Sequence, residues 1–113
     1  AATKETEDGS LVAALAQLAR IEGLMGNVEE SQRLFAEAIM QQRGALRSQP
    51  RNAAATSLLA ESLANRGLML RRSAGAAAGL EDMQEAASLF ALACAWEPDN
   101  ARYARDLAVA KNT

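Results

Sequence analysis

The sequence predicts an all-α protein of antiparallel helical hairpins, about five helices in all, stacked as a short solenoid. The block "QEAASLFALAC" repeats the block "EESQRLFAEAI", with Phe90 falling on Phe35. Self-similarity at a spacing of tens of residues is typical of repeat folds, in which each unit buries its apolar face against the next. Half of the residues are hydrophobic, and many of these are alanine, the strongest helix former. Glycines and prolines divide the chain into five segments with helical periodicity.

The first two helices are delimited by capping and breaking residues. Ser10 is predicted to cap the first helix, which ends at Gly23. The stretch Asn27–Glu30 has the pattern of a capping box and should open the second helix. That helix should end near Arg47, because Pro50 disfavours helical backbone in the residue before it.

The next three helices follow from the same kinds of signal. Asn52 can cap the third helix. Residues 73–79 contain two glycines and no large side chain, so we expect a loop or a frayed helix end that is the most mobile internal segment. The fourth helix should end before Pro98. Asp99 or Asn100 then caps a fifth helix.

Two patterns alternate along these helices. A small–x3–Phe–x2–Ala pattern occupies residues 31–38 and again 86–93, and a proline follows each copy. A large–x2–large–small–x2–large pattern surrounds three small residues: Ala19, Gly67 and, in part, Ala108. In this combination the sequence resembles the tetratricopeptide repeat (TPR) family, in which the small residue lets the two helices of a pair cross closely.

The TPR resemblance implies a right-handed solenoid over residues 10–113, made of two repeats and a closing helix. Residues 1–9 are then a disordered N-terminal lead. The repeats are longer than the family unit of about 34 residues, and the excess comes in steps of about two helical turns. We therefore expect the second and third helices to form a hairpin that projects beyond the ordinary edge. Arg66 departs from the family pattern, since it occupies a position that is usually apolar.

Residues suited to catalysis are scarce. The chain has no histidine, which removes imidazole acid–base chemistry and histidine metal ligation. Cys94 has neither a histidine partner nor a second cysteine, so we interpret it as a small buried residue. The adjacent acids near the starts of the second and fourth helices suit the helix dipole. The sequence therefore predicts a protein that is not an enzyme and binds no metal or cofactor.

A binding surface is the function that the TPR resemblance implies. In that family the first helices of successive pairs line a concave face that binds a peptide or a partner protein. The exposed residues that would line it here are Gln17, Arg20, Glu61, Asn65, Leu68, Arg72, Arg102 and Arg105. Asn65 and Arg102 match part of the family's clamp for a terminal carboxylate, but Asp106 stands at a cationic position and the full clamp is absent. The expected role is a non-catalytic interaction module or scaffold.

Two other functions stay open. The chain could be a self-association or assembly domain of a larger multi-repeat protein, since its apolar faces could pair with further repeats or with a second copy. Alternatively, Arg43, Arg47 and Arg51 recur at every fourth position and could meet an acidic or phosphorylated ligand together with Arg71 and Arg72. Residues 31–75 contain seven arginines and two glutamates, between acidic flanks. Complementary packing between these blocks would also account for this distribution.

The composition limits the kinds of partner and the cellular compartment that the sequence predicts. The net charge of −2 and the presence of one Trp and one Tyr disfavour nucleic acid as a partner. No apolar run is long enough for membrane insertion. The polar, acidic start does not resemble a signal peptide, and the single cysteine fits a reducing, cytoplasmic setting. The absence of an initial methionine favours a processed chain or a domain of a larger protein.

Overall fold

The computed structural model describes residues 2–112, with side chains from residue 11 onward. Its five α-helices are α1 (Ala2–Leu24), α2 (Val28–Ser48), α3 (Ala53–Ala74), α4 (Leu80–Trp96) and α5 (Ala101–Lys111). A short 3-10 helix, Ala76–Gly79, connects α3 to α4. Residues 2–112 contain no strand, so the prediction of an all-α fold is confirmed. The Cα radius of gyration of 13.8 Å is close to the ~13 Å of a compact 100-residue domain.

The starts of α2, α3 and α5 follow the sequence. Asn52 and Asn100 cap α3 and α5, and each side-chain oxygen accepts a backbone N–H at 3.0 Å. Asn27 occupies the cap position of α2 as predicted, but the capping-box bond is absent: its side chain instead donates to Glu22 at 3.0 Å. Ser10 lies inside α1 and is not its cap.

The bounds of α1 take in most of residues 1–9, the stretch predicted to be a disordered lead. The side chains of residues 1–10 lie outside the described part of the chain. Whether this stretch is held by tertiary contacts is therefore untested, and the lead stays a prediction.

Successive helices pair in an antiparallel manner. Ser31, early in α2, donates to the carbonyl oxygen of Ala19, late in α1, at 2.7 Å. Gly67 of α3 meets Gly79 at the entry to α4. Each helix contacts the next along the chain, and α1 also contacts α3. The last turns of α1 and α3 lie together, because Gly23 approaches the side chain of Met69.

The two repeated blocks are buried alike at their phenylalanines and at their small residues. Phe35 and Phe90 are buried in the main core, and the small residues three positions after each of them are fully buried. A second apolar cluster contains Ala53, Ala93 and Tyr103, with Trp96 packed beside it. This cluster holds the start of α3 against the end of α4, so the start of α3 does not project freely as expected.

The glycine-rich segment 73–79 is only partly a loop. The helix α3 continues to Ala74, and the 3-10 helix then brings the buried Gly79 against the backbone of Gly67. Residues 73–78 are exposed. No described helix is long and apolar enough to cross a membrane.

Candidate functional site

The first functional candidate is an open cavity of about 260 Å³ between α1, α3 and α5. We call it the trough. Most of its lining comes from these three helices, and Gln42 of α2 and two side chains of α4 complete it. The lining residues are Ala13, Ala16, Gln17, Gln42, Leu58, Glu61, Ser62, Ala64, Asn65, Leu68, Met83, Phe90, Asp106, Val109 and Ala110. The three helices therefore present a shared surface of mixed polar and apolar character.

The structure brings part of the predicted binding set into this trough. Gln17, Glu61, Asn65 and Leu68 all line it. They come from α1 and α3, the first helices of the two predicted pairs. The trough thus coincides with half of the residues that the sequence assigned to a concave binding face.

The predicted arginines do not line the trough. The Nη2 of Arg102 donates to Oε1 of Glu61 at 2.8 Å, and this hydrogen bond raises the pKa of Arg102 above its ordinary value. The Nε of Arg20 donates to Oε1 of Gln17 at 3.4 Å, at the rim. Arg72 and Arg105 are exposed and outside the lining. The arginines that lie near the trough are thus bound to its polar side chains.

Three further polar residues line the trough: the sequence placed Asp106 on the concave face, but neither Gln42 nor Ser62. Gln42 is 7% exposed and Ser62 is 1% exposed, and Oε1 of Gln42 and Oγ of Ser62 have no hydrogen-bond partner. Oδ2 of Asp106 is likewise buried without a hydrogen bond. Gln42 continues the buried stripe of α2, seven residues after Phe35 and four after Ala38, so helical periodicity could have placed it inside. Its lack of a partner could not be inferred from the sequence.

The basic stripe on α2 is largely engaged in contacts within the chain. Arg43 makes two hydrogen bonds to the carboxylate of Glu85, at 2.6 and 2.9 Å. Its guanidinium holds the pKa of Glu85 below the ordinary value. The guanidinium of Arg51 lies 5.9 Å from the ring centroid of Trp96, in cation–π range. Arg47 is exposed. Arg51 is exposed as well, so the expected phosphate-binding stripe retains two of its three arginines as exposed cations.

Arg66, which departs from the TPR pattern, has a structural role. Its Nε and Nη2 donate to the two carboxylate oxygens of Asp82 at 2.6 and 2.8 Å. Bidentate pairing of this kind is the strongest geometry available to an arginine. The hydrogen bonds raise the pKa of Arg66. Together with the Arg43–Glu85 pair, this contact attaches α4 to both α2 and α3.

An apolar edge forms a second candidate surface. Large hydrophobic side chains are exposed along α1 and just after it, with one more on α2: Leu11, Leu18, Ile21, Leu24, Met25 and Met40. A second cavity of about 380 Å³ lies beside them, lined by apolar residues of α1 and by Glu37 and Gln41 of α2. We call this surface the α1–α2 edge.

Metal-ligating side chains are not clustered in the part of the chain that the structure describes. No cluster of three or more His, Cys, Asp or Glu residues there could hold a metal ion. Cys94 is half-buried next to the second apolar cluster. The comparisons with known proteins add no assignment: no family model matches the chain, and no curated protein or solved structure matches it.

Proposed function

We propose that this chain is a TPR-type interaction module that binds a segment of a partner protein in the trough. The observation that carries the proposal is the position of the trough between α1, α3 and α5, the helices that would be the first members of successive pairs. Such helices line the binding face in the family that the sequence resembles.

The repeat geometry supports this proposal. The two blocks have equal burial at their phenylalanines and at their small residues. Small residues also lie where helices approach most closely, since Ala19 accepts the hydrogen bond from Ser31 and Gly67 contacts Gly79. Neighbouring helices pair in chain order, and α1 lies beside α3. These are the contacts that two stacked hairpins require.

The lining of the trough suits a polypeptide. Apolar side chains such as Leu58 and Leu68 alternate with amide and carboxylate groups, including Asn65 and Glu61. Its volume of about 260 Å³ is below the ~300–1,000 Å³ of typical small-molecule sites. One or two side chains of an extended or helical segment would occupy it, with the peptide backbone near the amides.

Obstruction of the trough tests the proposal. A phage-displayed random peptide library is selected on the whole chain, and one enriched peptide is titrated by fluorescence anisotropy. Ala16→Arg places a long side chain in the trough and should weaken binding at least tenfold. Ala91→Arg, on the exposed face of α4 outside both cavities, is the matched control and should leave the affinity unchanged. Equal binding by both variants would mean that the peptide uses another surface.

Self-association is a second candidate, favoured by the α1–α2 edge. Large patches of exposed apolar side chains commonly indicate an interface. Leu18 of this edge and Leu92 of α4 are each 45% exposed, which makes them a matched pair. If the edge joins two copies, Leu18→Glu should shift the concentration-dependent mass in sedimentation equilibrium towards the monomer, whereas Leu92→Glu should not. A mass that is independent of concentration would exclude this candidate.

A further inference from the structure

On the basis of the proposed trough function, we propose that the trough binds a basic side chain, arginine or lysine, of the partner segment. Gln42, Ser62 and Asp106 would accept its hydrogen bonds. This partner is opposite in charge to the acidic ligand that the arginine-rich sequence left open as an alternative. The inference rests on three unpaired acceptors and on the charges around them.

The buried polar atoms indicate the hydrogen-bonding character of the occupant. Oε1 of Gln42 and Oδ2 of Asp106 are acceptors, and Oγ of Ser62 can accept as well as donate. All three line the same cavity and have no hydrogen-bond partner. A buried polar group without a partner costs about 1–3 kcal/mol. An occupant rich in N–H donors would relieve this cost at each of these atoms that turns towards it.

The local charges give the sign of the occupant. Two carboxylates line the trough, those of Glu61 and Asp106. Among the described residues, Arg102 is the cation within ion-pair distance of both. Its Nη2 bonds to Glu61 at 2.8 Å, whereas its Nε lies 3.8 Å from Asp106, beyond hydrogen-bond length. The guanidinium of Arg102 is thus shared between two carboxylates, and a second cation would neutralise the charge of Asp106.

The shape of the trough suits a long basic side chain. Arginine and lysine combine an apolar stem with a charged head. Leu58 and Leu68 offer apolar contacts for the stem. An acidic side chain would instead meet Glu61 and Asp106, and like charges in a partly buried site repel each other. A basic side chain is therefore the occupant that matches both the acceptors and the apolar walls.

The test uses a peptide enriched on the whole chain from a random phage-displayed library. We expect the enriched sequences to share an arginine or lysine. Replacing that residue in the peptide by norleucine should weaken binding about tenfold or more in an anisotropy titration, since bonds to charged groups contribute more than neutral ones. Asp106→Asn should cause a similar loss. The norleucine peptide should bind the Asp106→Asn variant with little further loss of affinity, because the two changes remove the same interaction.

Control variants separate this inference from the proposed function. Asp99→Asn removes an exposed carboxylate outside the trough and should change the affinity less than twofold. Gln42→Met keeps the length of the side chain and removes the acceptor, and it should weaken the basic peptide but not the norleucine peptide. Urea unfolding of each variant verifies that the fold is retained.

The possible results differ for the two proposals. One result would refute the basic side chain but keep the proposed trough function: Ala16→Arg abolishes binding while Asp106→Asn does not weaken it. Enriched peptides that lack a basic residue would have the same meaning. If Ala16→Arg has no effect, or if no peptide is enriched above background, both proposals are wrong. A crystal structure of the peptide complex in which only water contacts the three acceptors would also refute the basic side chain.

Discussion

The contact between Gly67 and Gly79 offers a sharp test of the fold, because a single methyl group should disrupt it. A Cβ added at Gly79 would lie 2.0 Å from the carbonyl oxygen of Gly67 and 2.9 Å from its carbonyl carbon. Both of these atoms belong to the backbone of α3 and cannot move aside as a side chain can. The Gly79→Ala variant must therefore separate the 3-10 helix from α3 by more than 1 Å.

The expected loss of stability in Gly79→Ala comes from packing alone, because the backbone at Gly79 is not strained. Gly79 has φ −99° and ψ −1°, which an alanine can adopt. Extra methyl groups in a packed core typically cost about 1–3 kcal/mol and occasionally more. Since the atoms in contact are backbone atoms, we expect a loss of about 3 kcal/mol or more. Gly44→Ala is the control: Gly44 is helical and its Cβ would meet only the end of Arg47 at 3.6 Å, so a gain of roughly 0.5–1 kcal/mol is expected.

Urea unfolding followed by circular dichroism at the helical band measures both variants. The midpoint should fall for Gly79→Ala and rise slightly for Gly44→Ala, with similar m-values. If Gly79→Ala changed the free energy of unfolding by less than about 0.5 kcal/mol, its Cβ would have open space, and the placement of the 3-10 helix on α3 would be wrong.

Three further outcomes are expected. Phe90→Ala should cost roughly 3–5 kcal/mol in urea unfolding, and a cost under ~1 kcal/mol would contradict its core position. Amide exchange should be faster in residues 73–78 than in 82–96 because the former are exposed; equal protection would contradict this. Arg43 lowers the pKa of Glu85 in the folded protein below its ordinary 4.5. The ion pair therefore stabilises the fold fully above pH 4.5, and this stabilisation is lost as the pH falls through the lowered pKa. Stability of Glu85→Gln should therefore decline less in that acid range, and an unchanged decline would refute the pairing.

Local sequence signals predicted the helices because those signals act over one or two turns. Asn52 and Asn100 cap helices by bonding backbone groups two or three residues away. The two phenylalanines lie in the core because their neighbours repeat at helical spacing. Asn27 fits the same kind of pattern but bonds instead to Glu22, the residue that the α1–α2 turn places beside it. Local patterns indicate which side chains are available for capping, but the conformation of the turn between two helices determines which hydrogen bonds form.

The candidate site was only half predictable because its polar contacts join residues far apart in the chain. Helical register placed Gln17, Glu61 and Asn65 on the inner faces of α1 and α3, and they line the trough. Register could not show that Arg102 bonds to Glu61, a residue 41 positions away. The sequence around an arginine on an exposed helix does not show whether its guanidinium is already bound to another residue of the chain or is available to a partner.

The block distribution of charge explains why the predicted sign of the partner differs from the one that the geometry favours. The middle of the chain holds seven arginines and two glutamates, and its basic character suggests a surface for acids. The acids of α4 meet these arginines instead: Glu85 pairs with Arg43, and Asp82 with Arg66. Such pairs within the chain compensate much of the positive charge that a partner would otherwise meet. Asp106 has no comparable partner, since Arg102 bonds to Glu61. The charge left for a partner to neutralise in the trough is therefore negative, although the segment that supplies seven of its fifteen lining residues is basic.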